Sequence, residues 1–106
     1  MYVVINNKKY DIEYMNTFFK RLKGLMLKKD KINKIYVFPR CCSIHTYFMK
    51  QNIDVCMLDK NYKVTYVKEN LVPNRILIKN GYYTLEMPLG VAKNIKINDI
   101  IKISMN

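Results

Sequence analysis

Short apolar, β-branched runs recur along the whole chain, each stopped within a few residues by turn formers, and this punctuation constrains the fold more than any other feature. Tyr2-Val3-Val4-Ile5 stops at Asn6-Asn7, and Tyr10 to Met15 alternates polar and apolar residues, which predicts an opening hairpin or strand pair. Ile35-Tyr36-Val37-Phe38 runs into Pro39, which cannot donate to a ladder. Ile44 to Met49, Ile53 to Leu58 and Lys63 to Val67 are further extended segments, the last two joined by the turn formers Asp59-Lys60-Asn61-Tyr62. After a Pro-containing loop over Leu71 to Asn74, Arg75 to Ile78 and Tyr82 to Glu86 flank Asn80-Gly81, a standard hairpin pair, and Ile100 to Ile103 is a last strand.

Helical spacing occurs in two places. Asn16 or Thr17 can cap a helix whose Phe18, Phe19, Leu22, Leu25 and Met26 form one apolar face, interrupted at Gly24, and a short helical turn fits Val91 to Asn94. The expected architecture is mainly β: a small closed barrel or sandwich of seven or eight short, mostly antiparallel strands, one helix in the N-terminal half, and a helical turn near residues 90–95. At 106 residues, half of them apolar, the chain is expected to be a single domain with its own core. No apolar run nears the roughly 20 residues of a membrane helix. The four apolar residues after Met1 are too few for a signal-peptide core, so a cytoplasmic location is expected.

The formal net charge of +11 invites a nucleic-acid reading. Against it, 16 of the 19 cations are Lys and only Arg21, Arg40 and Arg75 can make bidentate phosphate or guanine contacts. The Lys residues are also dispersed, the densest stretch being Lys20, Arg21, Lys23, Lys28, Lys29, Lys31 and Lys34, which would give one basic face. The nine Tyr residues show no aromatic-basic alternation along one strand that would make a stacking platform. Three cysteines, with Cys41 and Cys42 vicinal and Cys56 apart, do not make an even disulfide framework and fit a reducing compartment.

Four ordered segments resemble one family. Arg21-Leu22-Lys23-Gly24-Leu25-Met26 resembles its Arg-x-x-Gly-Leu-Met signature. Cys41 to Met49 with Ile53-Asp54-Val55-Cys56-Met57-Leu58-Asp59 resembles its central block, in a branch reading Cys-x-x-Ile-His-Thr and then Ile-Asp-Val-x-Phe-Leu-Asp. Leu71-Val72-Pro73-Asn74-Arg75 is similar to its Leu-x-Pro-x-Arg loop, and Leu85-Glu86-Met87-Pro88-Leu89-Gly90 to its Leu-Glu-Leu-Pro-x-Gly segment. The family is the domain of unknown function 192, and the resemblance covers roughly residues 17–103. It implies a compact, mainly β fold and no established activity. Gln51-Asn52, Met57 and Leu89 depart from the pattern at positions that bear on local packing.

Side chains that could carry chemistry are few. His45 is the only histidine. In an extended segment Cys41 and His45 would stand about 13 Å apart, too far to share a proton or a metal unless the chain turns at Cys41-Cys42-Ser43. A Cys-His nucleophile would also need an orienting group, which Asp54 could supply only through the fold. The spacing 41, 42, 45, 56 lacks the paired Cys-x-x-Cys of a zinc site, and no phosphate loop, dinucleotide fingerprint or metalloprotease pair occurs, so no metal or cofactor is expected.

Asp54 interrupts an apolar strand and, if inward, demands a partner; Arg21 is the first candidate and Arg75 the second. Two readings follow: a structural ion pair, or a cleft in which Arg21, His45, Thr46, Asp54 and Glu86 bind a ligand. The alternative for Glu86 is to cap the short turn that follows Met87-Pro88. The leading expectation is a non-enzymatic domain that binds a small polar ligand or a protein partner near His45, Asp54 and Arg21. The alternatives are a nucleic-acid-binding module using the Lys20 to Lys34 face, and a hydrolase or transferase using His45 with Asp54 or Cys41.

Overall fold

The computed structural model describes residues 1–16, 31–41, 43–47 and 49–104. Residues 17–26 of the expected helix, Arg21 among them, and most of the basic stretch lie outside the described residues. Among the described residues there are eight strands: β1 (Tyr2–Ile5), β2 (Lys8–Tyr14), β3 (Ile35–Pro39), β4 (Ser43–His45), β5 (Ile53–Leu58), β6 (Val64–Leu71), β7 (Ile76–Ile78) and β8 (Tyr83–Met87). A 3-10 turn over Val91–Asn94 follows them. Six strands form one sheet in the order β1-β2-β3-β8-β5-β6, and β4 pairs with β7 in a separate ribbon. All pairs are antiparallel except β2 with β3. The mainly β architecture read from the punctuation is therefore present.

Two of the expected hairpins form for the expected local reasons. Asn6 and Asn7, at φ of 53° and 66°, occupy the left-handed region that a tight β1–β2 turn requires. Between β5 and β6 the Asp59 carboxyl accepts hydrogen bonds from the Asn61 and Lys63 amides at 2.8 and 3.0 Å, an Asx-type turn, and Tyr62 sits at φ 66°.

The third hairpin does not form, although Asn80-Gly81 is in place. β7 pairs with β4, while β8 is inserted between β3 and β5. Gly81 serves a close approach: a Cβ built there would lie 2.8 Å from Met57 Cβ, so the chain crosses β5 where only a glycine fits. Strand limits also shift. β3 includes Pro39, whose missing donor is tolerated because β2 pairs no farther than Val37. β4 stops at His45 because Thr46 turns to hold the segment that precedes β7. β6 runs on to Leu71, so the loop occupies residues 72–75, one residue later than expected.

The expected strand over Ile100 to Ile103 is a pair of isolated bridges with a large structural role. Lys63 bridges Ile100 at the start of β6, and Tyr2 bridges Ser104 on β1. These are the two outer strands of the six-stranded sheet, so one C-terminal segment spans both edges and the sheet curls toward a barrel. Ile101 and Ile103 point into the core while Lys102 is exposed, the alternation of an extended strand.

The central strands are buried on both faces. Ile35, Val37, Cys56, Leu58, Leu85 and Met87 belong to one apolar cluster with Val3, Ile5, Ile101 and Ile103. Their neighbours Tyr36, Phe38, Ile53 and Val55 form a second with Met15, Ile32, Met49 and Leu71, against which Ile44 and Leu77 of the β4–β7 ribbon pack. Any polar side chain on β3, β5 or β8 is thus committed to one of two dry faces.

Candidate functional site

Asp54 lies on β5, 1% exposed, in register with Met87 and in phase with Cys56 and Leu58, on the face of the first cluster. Its Oδ1 accepts a hydrogen bond from the Asn70 amide at 2.9 Å, and its Oδ2 accepts from the amides of Gly90 and Ala92, both at 2.9 Å. Three backbone donors supply what either arginine was expected to supply. Two belong to the entry of the 3-10 turn, where Gly90 takes φ 97°, so Asp54 caps that turn from across the sheet. The cap expected of Glu86 is therefore made by Asp54. Arg75 instead donates from Nη1 to the Asn74 carbonyl at 3.2 Å, and Arg21 lies outside the described residues.

Thr46 is fully buried and fully engaged. Its hydroxyl donates to the Val72 carbonyl at 2.8 Å and accepts from the Arg75 amide at 2.8 Å, while its own amide donates to the Arg75 carbonyl. These bonds pin residues 72–75 and deliver β7 to β4.

Glu86 sits on β8 between Tyr36 of β3 and Val55 of β5, on the opposite face from Asp54. It is 6% exposed, and its Oε2 is the one buried side-chain nitrogen or oxygen without a hydrogen-bond partner among the described residues. Burial pushes its carboxyl up to about 8. Two residues back on the same strand, Thr84 donates to the Cys41 carbonyl at 2.8 Å.

His45 is exposed, on the outer side of the β4–β7 ribbon, its ring centroid 5.4 Å from that of Tyr47. Beside it stand Ile76, in register with His45, and Ile78, in register with Ser43, at 61% and 67% exposure. Tyr47 is 41% exposed. The ribbon turns Ile44 and Leu77 inward and leaves this apolar side to solvent. The Cys41 thiol donates to the Ser43 carbonyl at 2.9 Å. Of the other thiols, Cys56 is buried in the first cluster, its pKa pushed up to about 12 by burial, and Cys42 lies outside the described residues.

The residues expected to share one cleft are thus distributed: Asp54 on one face of the sheet, Glu86 on the other, Thr46 inside the ribbon's anchor and His45 on its outer surface. Of the basic stretch, Lys31 and Lys34 are described, and Lys34 pairs with Glu13 at 3.3 Å. No helix among the described residues is long and apolar enough to cross a membrane.

Comparison with known proteins decides the family. The model of DUF192, described as an uncharacterised ACR family, matches residues 1–104. The chain belongs to the DUF192 family. A UPF0127 protein of Pyrococcus horikoshii is 36% identical over 92 residues, covering 81% of this chain and 79% of that protein. One from Thermococcus sibiricus is 35% identical over 99 residues, 85% of this chain and 64% of the relative. Two crystal structures share the fold: a protein of unknown function from Novosphingobium aromaticivorans, at a TM-score of 0.80 and 20% identity over 96% of this chain and 82% of that one, and a protein from Sinorhizobium meliloti described as a putative transcription regulator, at 0.81 and 16% over 95% and 89%. DUF192 is a family of uncharacterised proteins, so the site must be argued from the chemistry of this chain.

Proposed function

We propose that this DUF192 chain is a non-enzymatic binding domain that takes a protein partner on the outer face of the β4–β7 ribbon. The observation that carries the reading is the exposure of Ile76 and Ile78 side by side with His45 and Tyr47 on a rigidly anchored ribbon. Apolar side chains at this exposure cost nothing when scattered, but four aligned apolar or aromatic groups on one face form a patch that a partner can desolvate. Catalysis finds less support. Asp54 and Thr46 spend their hydrogen-bonding capacity on backbone, and the Cys41 thiol is engaged with Ser43 rather than paired with His45.

The test is photo-cross-linking with a photoreactive residue at position 78 and, as control, at Lys102, which is exposed elsewhere. In an extract of the native host a discrete heavier adduct is expected from position 78 alone. Equal adducts from both positions, or none from 78, would remove the reading.

Glu86 favours a second reading, a small polar ligand. A ligand bearing a polar group that both donates and accepts would satisfy the open Oε2 in the second cluster, and a buried polar oxygen without a partner carries a penalty of about 1–3 kcal/mol that such a ligand relieves. A thermal-shift screen of small amines and amides comparing the natural chain with Glu86→Gln tests it. Stabilisation must weaken in the variant; identical shifts in both rule this site out.

A further inference from the structure

The two strands of the ribbon come from acid-free stretches of the chain. No Asp or Glu occurs between Asp30 and Asp54, nor between Glu69 and Glu86, while Lys31, Lys34, Arg40, Lys50, Arg75 and Lys79 fall inside those intervals. Arg75 and Lys79 bracket β7 directly, and both are exposed, as is Lys50 beyond β4. By the strand's alternation Arg75 and Lys79 fall in phase with Leu77, on the other side from Ile76 and Ile78, where an added strand's alternate side chains would meet them; neither strand of the ribbon carries an anion, and the Lys79 Nζ lies 5.1 Å from the centroid of the Tyr66 ring.

β7 has β4 as its one neighbour, so among the described residues its other side is an edge. Exposed edges are ordinarily blunted by short length and by lysine, and β7 has both, being three residues long with Lys79 at its end. Protection of that kind repels a second basic chain and admits an acidic one. Ile76 and Ile78 lie two residues apart on one face, about 7 Å along the strand, which matches the spacing of alternate side chains in an added strand.

We propose, building on the ribbon's role as a docking surface, that its partner presents an extended acidic segment with apolar side chains at alternate positions, added along β7. Main-chain pairing supplies the register, Ile76 and Ile78 flank the partner's apolar side chains, and Arg75 and Lys79 select for carboxylates at either end. A basic or neutral extended segment would meet the same edge without the selection, and this separates the inference from a merely hydrophobic surface.

The experiment is a titration of the full, isotope-labelled chain, followed by backbone amide shifts, with two synthetic peptides: one alternating Glu and Val, the other alternating Lys and Val. The Glu–Val peptide is expected to shift residues 43–47 and 75–79, to bind about five-fold or more weakly when salt rises from about 50 to about 300 mM, and to lose binding to the Arg75→Glu, Lys79→Glu double variant. Ile76→Ser with Ile78→Ser should weaken it at both salt concentrations. If both peptides bind alike, selection for acid is overturned while the docking surface stands. If neither shifts the ribbon, the inference is overturned as well, and the cross-link from position 78 decides separately whether the surface reading falls with it.

Discussion

Asp54 and Glu86 are both buried carboxyl side chains on adjacent strands of one sheet, yet the fold treats them in opposite ways. Asp54 faces the first cluster and is met by three backbone amides from two separate segments. Glu86 faces the second and has an oxygen that no described donor meets. A buried acid is a fastener where the backbone converges on it and an unspent polar group where it does not; sequence position alone does not distinguish the two.

The largest expected effect is at Asp54. Asp54→Ala orphans three amides at once and should lower unfolding free energy by about 3–5 kcal/mol in urea denaturation, with Asp54→Asn recovering only part. A loss below about 1 kcal/mol would mean that the amides find other acceptors and that the contrast with Glu86 is false.

At Glu86 the effect is a pH slope. The unfolded carboxyl ionises near its ordinary value of 4.5, whereas the folded one holds its proton to about 8, so within that window the folded state binds more protons. Its contribution to stability is complete below pH 4.5 and is lost as the pH rises through about 8, at up to about 1.4 kcal/mol per unit. Glu86→Gln should flatten the difference curve measured by thermal unfolding across this range. A natural chain and variant with parallel curves would show the carboxyl to be solvated or paired.

Gly90→Ala sharpens the Asp54 side of the comparison. The space beside Gly90 is open, so the cost comes from φ 97° alone, about 1–2 kcal/mol, and should fall in a double-mutant cycle with Asp54→Ala if both act on the same turn. The smallest effect belongs to His45→Ala, within about 0.5 kcal/mol, because its ring is exposed and contacts Tyr47. A larger loss would make His45 structural and weaken the docking surface.

Strands were legible in the sequence wherever alternation and a local turn coincided, as at Asn6-Asn7 and Asp59 to Tyr62, because both signals lie within a few residues. The pairing of β8 was not, since its insertion between β3 and β5 is decided by contacts 25 to 50 residues distant, and Asn80-Gly81 looks the same whichever neighbour β8 takes. That Asp54 needs a partner was readable from its apolar strand. That the partner is three amides was not, because backbone donors leave no trace in residue identity. The strand over Arg75 to Ile78 was legible from its apolar run, but that run does not say which side chains are exposed, and only the ribbon's placement shows that Ile76 and Ile78 face water.

The C-terminal bridge has a consequence for connectivity. Tyr2 and Ser104 exchange amide-to-carbonyl hydrogen bonds at 3.0 and 2.9 Å, which sets positions 2 and 104 side by side on neighbouring extended segments. A short linker could join them covalently and new ends could be cut at the exposed Lys60-Asn61 turn, giving a circular permutant in which the order of elements changes while every sheet contact is retained. In such a chain the span that now clasps both outer strands would become an internal connection, and the barrel's seam would be held by covalent continuity in place of two hydrogen bonds.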